Sequence, residues 1–584
     1  MSIQRPEPGP ERRSRALRAA GCALLFLLPL ALRLRPIEHG LPRNYVPDTH
    51  AVRAALGMAR DRDPVPPVGK YSTYPNLLPY VLLPAYAGYF ALGALDGSWS
   101  GAQEFGQHVS AHPAPVHLIA RVIVALFGAL TPWVVFRAAR AMGMGRGAWV
   151  AAWLVAGSVL HTHYSVQERP WVPMLFFLAL AMWPAARHVA EPRARTLLLS
   201  GAAAGLAFAT HQSGLVALGV PALAWLCAPI GWRGSELGRR LAQGAGCVAT
   251  FAVLALALGH PYLLVHGPTP SEGVVGGDRP DFSVGGQGVV LAFRLASFLR
   301  LGPALFGHDP ALVVLGALGL VPALRARRTR PFALFALAWA AFFMTLASDH
   351  VRYLLPLTVL LSIPAGLAAE RWIGLGRLGL AAVVLLLAQP LVLDLRFGHV
   401  LAREDTRAIA ERELARALPA GALLAIDRYG PDLELDRASL ERLAGWRDLA
   451  TREGQRLERL RAGEITGGAN AVFLSELLSY DERDHRLALS GSARRLGPQV
   501  SDAASLLQAL GATHLLLVER APGDPRGHLL DSVVRGREPL FVIDPTDGTG
   551  RCDEARLPMD MEFPFVSLWQ VRRPGPRLSL YELR

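Results

Sequence analysis

The sequence predicts an α-helical polytopic membrane protein with a soluble α/β domain at its C-terminal end. Three observations lead there. Of the 584 residues, 52% are hydrophobic and 18% charged, less charge than a soluble chain of this length carries. Apolar runs of about 17–20 residues, the length that crosses a bilayer, recur from Ala16 to Leu395. Beyond them, helical patterns such as Arg403 to Leu418 alternate with short apolar runs such as Ala422 to Ile426 and His514 to Val518, the rhythm of a small α/β fold. The boundary therefore falls at 395/396, with a membrane domain over 1–395 and a soluble domain over 396–584.

The first apolar run, Ala16 to Leu34, follows a basic head (Arg12, Arg13, Arg15, Arg18) and lacks a small-residue cleavage site. It reads as an uncleaved anchor. Arginine clusters at Arg137 to Arg146, Arg187 to Arg195, Arg233 to Arg240, Arg325 to Arg330 and Arg371 to Arg377 mark inner loops by the positive-inside rule. With the N-terminus inside, crossings fall near 16–34, 117–136, 147–164, 171–187, 196–211, 214–230, 241–263, 309–324, 331–347, 353–369 and 378–395, eleven in all. Two further apolar stretches, Leu77 to Leu95 (with Pro79 and Pro84) and Val289 to Phe306 (with Arg294 and Arg300), would invert later basic loops if they crossed. They are expected to lie along the outer interface as juxtamembrane helices; counting both as crossings gives thirteen with the same end points. This threading puts Asp48, Lys70, Glu168, the loop 264–288, His350, Arg352 and the whole tail on the outer face.

The formal net charge of +13 does not call for nucleic acid, because the arginines sit in small clusters between apolar runs, where topology requires them. Lys70 is the only lysine. Cys22, Cys227 and Cys247 lie in apolar segments and Cys552 stands alone, so neither a metal knuckle nor a disulfide framework is spelled out. There is no internal repeat and no long low-complexity stretch.

Ionisable groups at the rim of a membrane domain are costly and read as functional. Asp48 lies in Tyr45-Val46-Pro47-Asp48-Thr49-His50, ahead of a helical pattern from His50 to Arg60; its bland use is a helix N-cap. Glu168 lies in the turn His161 to Pro170, where a pair with Arg169 or a helix-start charge is the bland use. Two acids from separate outer loops suit general-base chemistry or a shared divalent cation, and oxygen ligands favour magnesium or manganese. His161 and His163 are weaker ligand candidates, since an i,i+2 pair does not share a helix face. Lys70, Arg121, Arg300 and Arg352 are candidate phosphate holders, with snorkelling as the alternative for each. Tyr71 and Tyr74 are candidates for sugar or phosphate contact, or interfacial anchors.

At these residues the chain resembles the protein O-mannosyltransferase and aminoarabinose transferase superfamily, membrane glycosyltransferases of the C-type fold. Val46-Pro47-Asp48-Thr49-His50 is similar to the superfamily's acidic signature in the first outer loop. Tyr74-Pro75-Asn76-Leu77 resembles its Pro-rich motif, and His163 through Glu168-Arg169-Pro170 its second-loop motif. Gly201 to Gly214 resembles its Gly-rich span, and Arg352-Tyr353-Leu354-Leu355-Pro356 its Arg-Tyr-x-x-Pro motif. The likeness covers roughly 16–395. Thr49 stands where Glu is usual, Glu168 where Asp is usual and His211 where Lys is common; the family's motif lysine would coincide with Tyr74.

The resemblance implies an inverting transferase that takes a sugar from a polyprenyl-phosphate donor on the outer face of a bacterial cytoplasmic membrane and delivers it to a protein, lipid or glycan acceptor. Asp48 would deprotonate the acceptor hydroxyl, Lys70 and Arg352 would stabilise the departing lipid phosphate, and Glu168 would orient the acceptor or share a metal. The Gly/Pro-rich loop 264–288 would act as a lid. A secondary transporter is the rival from another class, but it predicts mid-membrane charges and inverted repeats, which the sequence does not show. A non-catalytic scaffold is the third reading, kept open by Thr49.

Overall fold

The computed structural model describes residues 10–43, 45, 49–67, 70–71, 74–267, 282–284, 287–289, 292–346, 350–449, 451–481, 486–490, 496, 500–519, 528–546 and 565–583. Asp48 lies outside the described residues, as does most of the expected lid. Of that loop, residues 264–267 and the antiparallel strands Phe282–Val284 and Gln287–Val289 are described.

Each apolar run folds as helix, because a backbone away from water must satisfy its own hydrogen bonds. In chain order these are α1 (Pro10–Leu34), α2 (His50–Asp61), α3 (Leu77–Leu95), α4 (Ala102–Ala111), α5 (Ala114–Ala141), α6 (Gly147–Ala156), α7 (Val159–Ser165), α8 (Trp171–Ala190) and α9 (Ala194–Thr210). After the 3₁₀ turn Gln212–Leu218 come α10 (Gly219–Cys227), α11 (Gly234–Leu254), α12 (Tyr262–Val265), α13 (Leu295–His308), α14 (Pro310–Arg325), α15 (Arg330–Phe343), α16 (Leu355–Leu360), α17 (Ser362–Gly374) and α18 (Arg377–Leu401).

The expected eleven crossings give way to a coarser result. Among the described residues, five helices are long and apolar enough to cross a membrane, or up to seven if each bent pair is one span. One of the five is α3, expected to lie along the surface; by length and composition alone it can cross. Several expected crossings are shorter than a span because the helix breaks: Gly157 and Ser158 separate α6 from α7, and His211 ends α9. α13 meets α14 at 113°, a turn that suits a helix lying across the end of its neighbour.

Small residues bring the helices close. A Cβ on Gly201 or Gly205 of α9 would stand 2.6 Å from the carbonyl oxygen of Cys247 or Phe251 on α11, and one on Gly147 would stand 2.3 Å from Gly366 O of α17. These Gly–backbone contacts do the work that small-x-x-x-small spacing does in membrane helices generally. The core they close runs from Ala51 and Val52 of α2 through α5, α8 and α9 to Ile363 of α17.

α18 continues past the expected boundary at 395 to Leu401, and α19 (Thr406–Ala417) follows, capped by Asp405, whose carboxylate accepts from Arg407 N. The tail then forms a five-stranded sheet in the order Ala471–Phe473, Leu424–Ile426, His514–Val518, Leu578–Glu582, Phe541–Ile543. The first three strands run parallel and the last two pairings are antiparallel. The expected apolar runs 422–426 and 514–518 thus form neighbouring strands at its centre.

The tail docks on the helices. Leu568 and Val571 pack with Ile37, Ala125, Val159, Leu393 and Phe397. Arg43, from the segment after α1, donates to both oxygens of Glu411 and to Glu434 Oε1 at 3.2 Å. The Arg407 guanidinium stacks 4.1 Å from the Tyr45 ring.

Candidate active site

Three groups of side chains gather around the loops that the sequence singles out. The first is a chain of rings. Tyr74 lies edge-on to His50 at 5.4 Å and beside His211 at 5.2 Å between ring centroids. His211 lies 4.0 Å from Trp171, and Trp171 lies 5.9 Å from Tyr353. The Arg352 guanidinium stands 6.0 Å from the Trp171 ring and 5.8 Å from Tyr353. Five segments distant in sequence therefore meet: the start of α2, the turn before α3, the start of α8, the end of α9 and the turn before α16.

Local sequence explains each placement. His50 opens α2, whose N-cap position is held by Thr49. Thr49 makes no side-chain capping bond there. Asn76 N donates to Gly259 O at 2.9 Å, which fixes the Tyr74 turn against the π-helical turn Ala255–Gly259 that follows α11. His211 breaks α9 and its ring accepts from Ser213 N at 3.1 Å, turning the chain so that the imidazole faces Trp171. Proline at 170 stands at the start of α8, where a missing N–H costs nothing.

The second group is buried. Glu168 is wholly enclosed; its Oε2 accepts from Arg121 Nε at 2.8 Å and its Oε1 lies 2.9 Å from His117 Nδ1. Arg121, equally enclosed, also donates to the carbonyls of Ile37 and His39 at 2.9 and 2.7 Å. Burial alone would raise the carboxyl pKa of Glu168, but the Arg121 charge and His117 outweigh it and hold the group below its usual range. Arg121 thereby ties the segment after α1 to the turn before α8, and its guanidinium sits on the Glu168 carboxylate, where a cation shared with Asp48 was expected.

The third group is Lys70 and Tyr71. The Lys70 ammonium lies 3.0 Å from Asp61 Oδ2 and 5.1 Å from the Tyr71 ring centroid. The Tyr71 hydroxyl donates to the same Asp61 carboxylate, and its ring packs on Gly57 of α2, where a Cβ would stand 2.7 Å away. Tyr71 and Asp61 raise the affinity of Lys70 for its proton. The ammonium is half-exposed and charged.

His161 and His163 do not share a site. His161 Nδ1 accepts from Arg33 at 2.7 Å, while His163 Nε2 meets Gln167 at 3.2 Å. Among the described residues no group of three or more His, Cys, Asp or Glu could hold a metal ion.

Sequence reasoning gave no role to Trp171, Tyr353 or His50, and none to His117. For His117 a signal existed: it stands four residues before Arg121 on α5, the spacing that puts two side chains on one helix face. Trp171 carried only weak marks, an aromatic ring just after a proline at a helix start.

Residues 116–259 match the family described as dolichyl-phosphate-mannose-protein mannosyltransferase. The resemblance to this superfamily, read from the motifs, is borne out over that segment. It holds α5 through α11, with Arg121, Glu168, Trp171 and His211 among them. No curated protein matches the chain.

Several solved structures are similar in fold at low identity. The oligosaccharyltransferase of Archaeoglobus fulgidus, tethered to an acceptor peptide, aligns at 11% identity over 86% of this chain and 69% of its own, with a TM-score of 0.42. ArnT from Cupriavidus metallidurans in the apo state aligns at 17% identity over 71% of this chain and 82% of its own, with a TM-score of 0.47. The Saccharomyces cerevisiae protein O-mannosyltransferase Pmt1-Pmt2 complex, bound to its sugar donor, aligns at 16% identity over 46% of this chain and 34% of its own, with a TM-score of 0.31.

Proposed function

We propose that the protein transfers a sugar from a polyprenyl-phosphate donor to an acceptor hydroxyl on a protein, lipid or glycan at the outer face of a bacterial cytoplasmic membrane. One observation carries the reading. The segments bearing the five sequence motifs meet in the ring chain His50–Tyr74–His211–Trp171–Tyr353, with Arg352 beside it. Aromatic faces bind the apolar faces of a sugar and the guanidinium binds phosphate, so donor and acceptor chemistry can share this place.

In this reading Asp48 takes the proton of the acceptor hydroxyl as its oxygen attacks the anomeric carbon. The bond from that carbon to the phosphate oxygen breaks, and the carbon inverts. Arg352 and Lys70 stabilise the polyprenyl phosphate that leaves, while Tyr71 and Tyr74 flank the donor. Arg121 and Glu168 are positioning residues: their enclosed pair holds the backbone of Ile37 and His39 below the loop that runs on to Asp48.

The test is a transfer assay with the purified chain, a radiolabelled polyprenyl-phosphate sugar and membrane extract as acceptor. Label moving onto an acceptor supports the reading. Uptake of free solute into vesicles without label transfer would replace it with transport.

A further inference from the structure

A second concentration of charge lies where α1 and α18 end side by side. A Cβ on Gly398 of α18 would stand 3.8 Å from Arg35 Cδ and 3.9 Å from Leu32 O, so the two helix ends abut. Around that contact stand Arg35, Arg396, His399, Arg403 and Arg572. An Arg35 Nη2 lies 3.4 Å from His399 Nδ1, and an Arg403 Nη2 lies 3.2 Å from His399 Nε2. A neutral imidazole has one acceptor nitrogen, so one of these two guanidinium groups faces a nitrogen that cannot accept. Arg396 spends two donors on Leu568 O and Val571 O, at 3.3 and 2.7 Å.

Nothing described neutralises the group. Among the described residues none of these four arginines forms an ion pair with a carboxylate, and the neighbouring acid Glu404 is held by Arg412. Four like charges gathered without acid cost energy unless something anionic joins them.

The surroundings say what kind of anion. Immediately below the cluster the surface is apolar and open: Leu34 is 39% exposed, Val392 49% and Leu395 42%. Trp569, also 49% exposed, lies 5.9 Å from the Arg396 guanidinium. Cations standing one turn above a lipid-facing surface, beside an interfacial tryptophan, match a phosphate on an acyl chain rather than one free in solution.

We propose that Arg35, Arg396, Arg403 and Arg572 form a binding site for the headgroup phosphate of an anionic phospholipid, at the seam between the membrane helices and the C-terminal domain. Because Arg396 grips the 568–571 backbone, the lipid would help hold that domain to the bilayer surface. This inference does not depend on the proposed sugar transfer.

The test is native mass spectrometry of the full-length, detergent-solubilised chain with added phosphatidylglycerol, phosphatidylcholine, polyprenyl phosphate or inorganic phosphate. Each surface arginine is worth about fivefold in attraction to an anionic lipid. Arg35→Ala/Arg403→Ala should therefore lose about 25-fold in phosphatidylglycerol binding, while Arg35→Lys/Arg403→Lys retains most of it. Should the double variant fail to fold, Arg403→Ala alone should lose about fivefold. Phosphatidylcholine binding equal to that of phosphatidylglycerol, or full phosphatidylglycerol binding by the alanine variants, would overturn the site. So would inorganic phosphate competing the lipid off at equal concentration. Loss of polyprenyl phosphate binding in step with phosphatidylglycerol would assign the cluster to the donor instead.

Discussion

The Trp171 indole and the His211 imidazole lie 4.0 Å apart between centroids, joining the first turn of α8 to the break at the end of α9. Through this pair the Arg352 side of the cluster connects to the Tyr74 side. Trp171→Phe keeps an apolar ring in the core but shrinks the face that Arg352 overlies. The cation–π share of that contact is about 0.5–2 kcal/mol, so Trp171→Phe should raise KM for the donor several-fold with little change in melting temperature. Arg352→Ala should do more. Loss of a charged hydrogen bond to phosphate is worth about 1.5–3 kcal/mol, read as a rise in KM of about tenfold or more in steady-state kinetics.

Glu168→Gln tests the buried pair as a structural element. Removing one partner of an enclosed ion pair leaves the other charge unpaired and costs about 3–5 kcal/mol. Thermal unfolding should show a large drop for Glu168→Gln and a partial recovery for Glu168→Gln/Arg121→Gln. The pH dependence has a definite sign. The folded carboxyl titrates below its usual range, so its contribution is complete above the ordinary glutamate pKa of about 4.3. It is lost only as pH falls through the lower folded value. Between pH 7 and pH 5 this pair should hold.

Arg43 ties the segment after α1 to Glu411 and Glu434 of the C-terminal domain. That segment runs on to Asp48, so Arg43→Ala should lower kcat about tenfold with a smaller effect on KM, in keeping with the sensitivity of catalysis to misplacement. Arg412 offers a control. Its pair with Glu404 is half-exposed on both sides, and such pairs are worth about 0–1 kcal/mol; Arg412→Ala should leave both constants unchanged.

How much of this was legible beforehand differs by element. The helices of the membrane domain were readable, because an apolar run has only one way to satisfy its backbone in lipid. Their breaks were less so. Gly157-Ser158 and His211 sit within apolar stretches, and it is tertiary packing that makes them ends. The helix His50–Asp61 and the strand His514–Val518 fell where the pattern put them. The pairing of Arg121 with Glu168 was not legible for a physical reason: sequence shows that charges share a rim, not which of them will neutralise each other. The ring cluster needed the fold, since its members lie in segments separated by up to three hundred residues of chain.

The placement of the C-terminal domain can be checked apart from the chemistry. A reporter active only outside the cytoplasm, fused after Leu395 and after Arg584, should be active at both points. Cytoplasmic labelling at either would contradict an outer placement of that domain.

The central claim rests on sugar transfer with Asp48 as the base. The most direct measurement is the transfer rate of Asp48→Asn from a polyprenyl-phosphate sugar, with melting temperature followed in parallel. General-base catalysis contributes about 10²–10⁴, and Asn caps a helix as well as Asp does. The account predicts a loss of about 100-fold or more in turnover with unchanged thermal stability. Transfer at near wild-type rate by Asp48→Asn would contradict it.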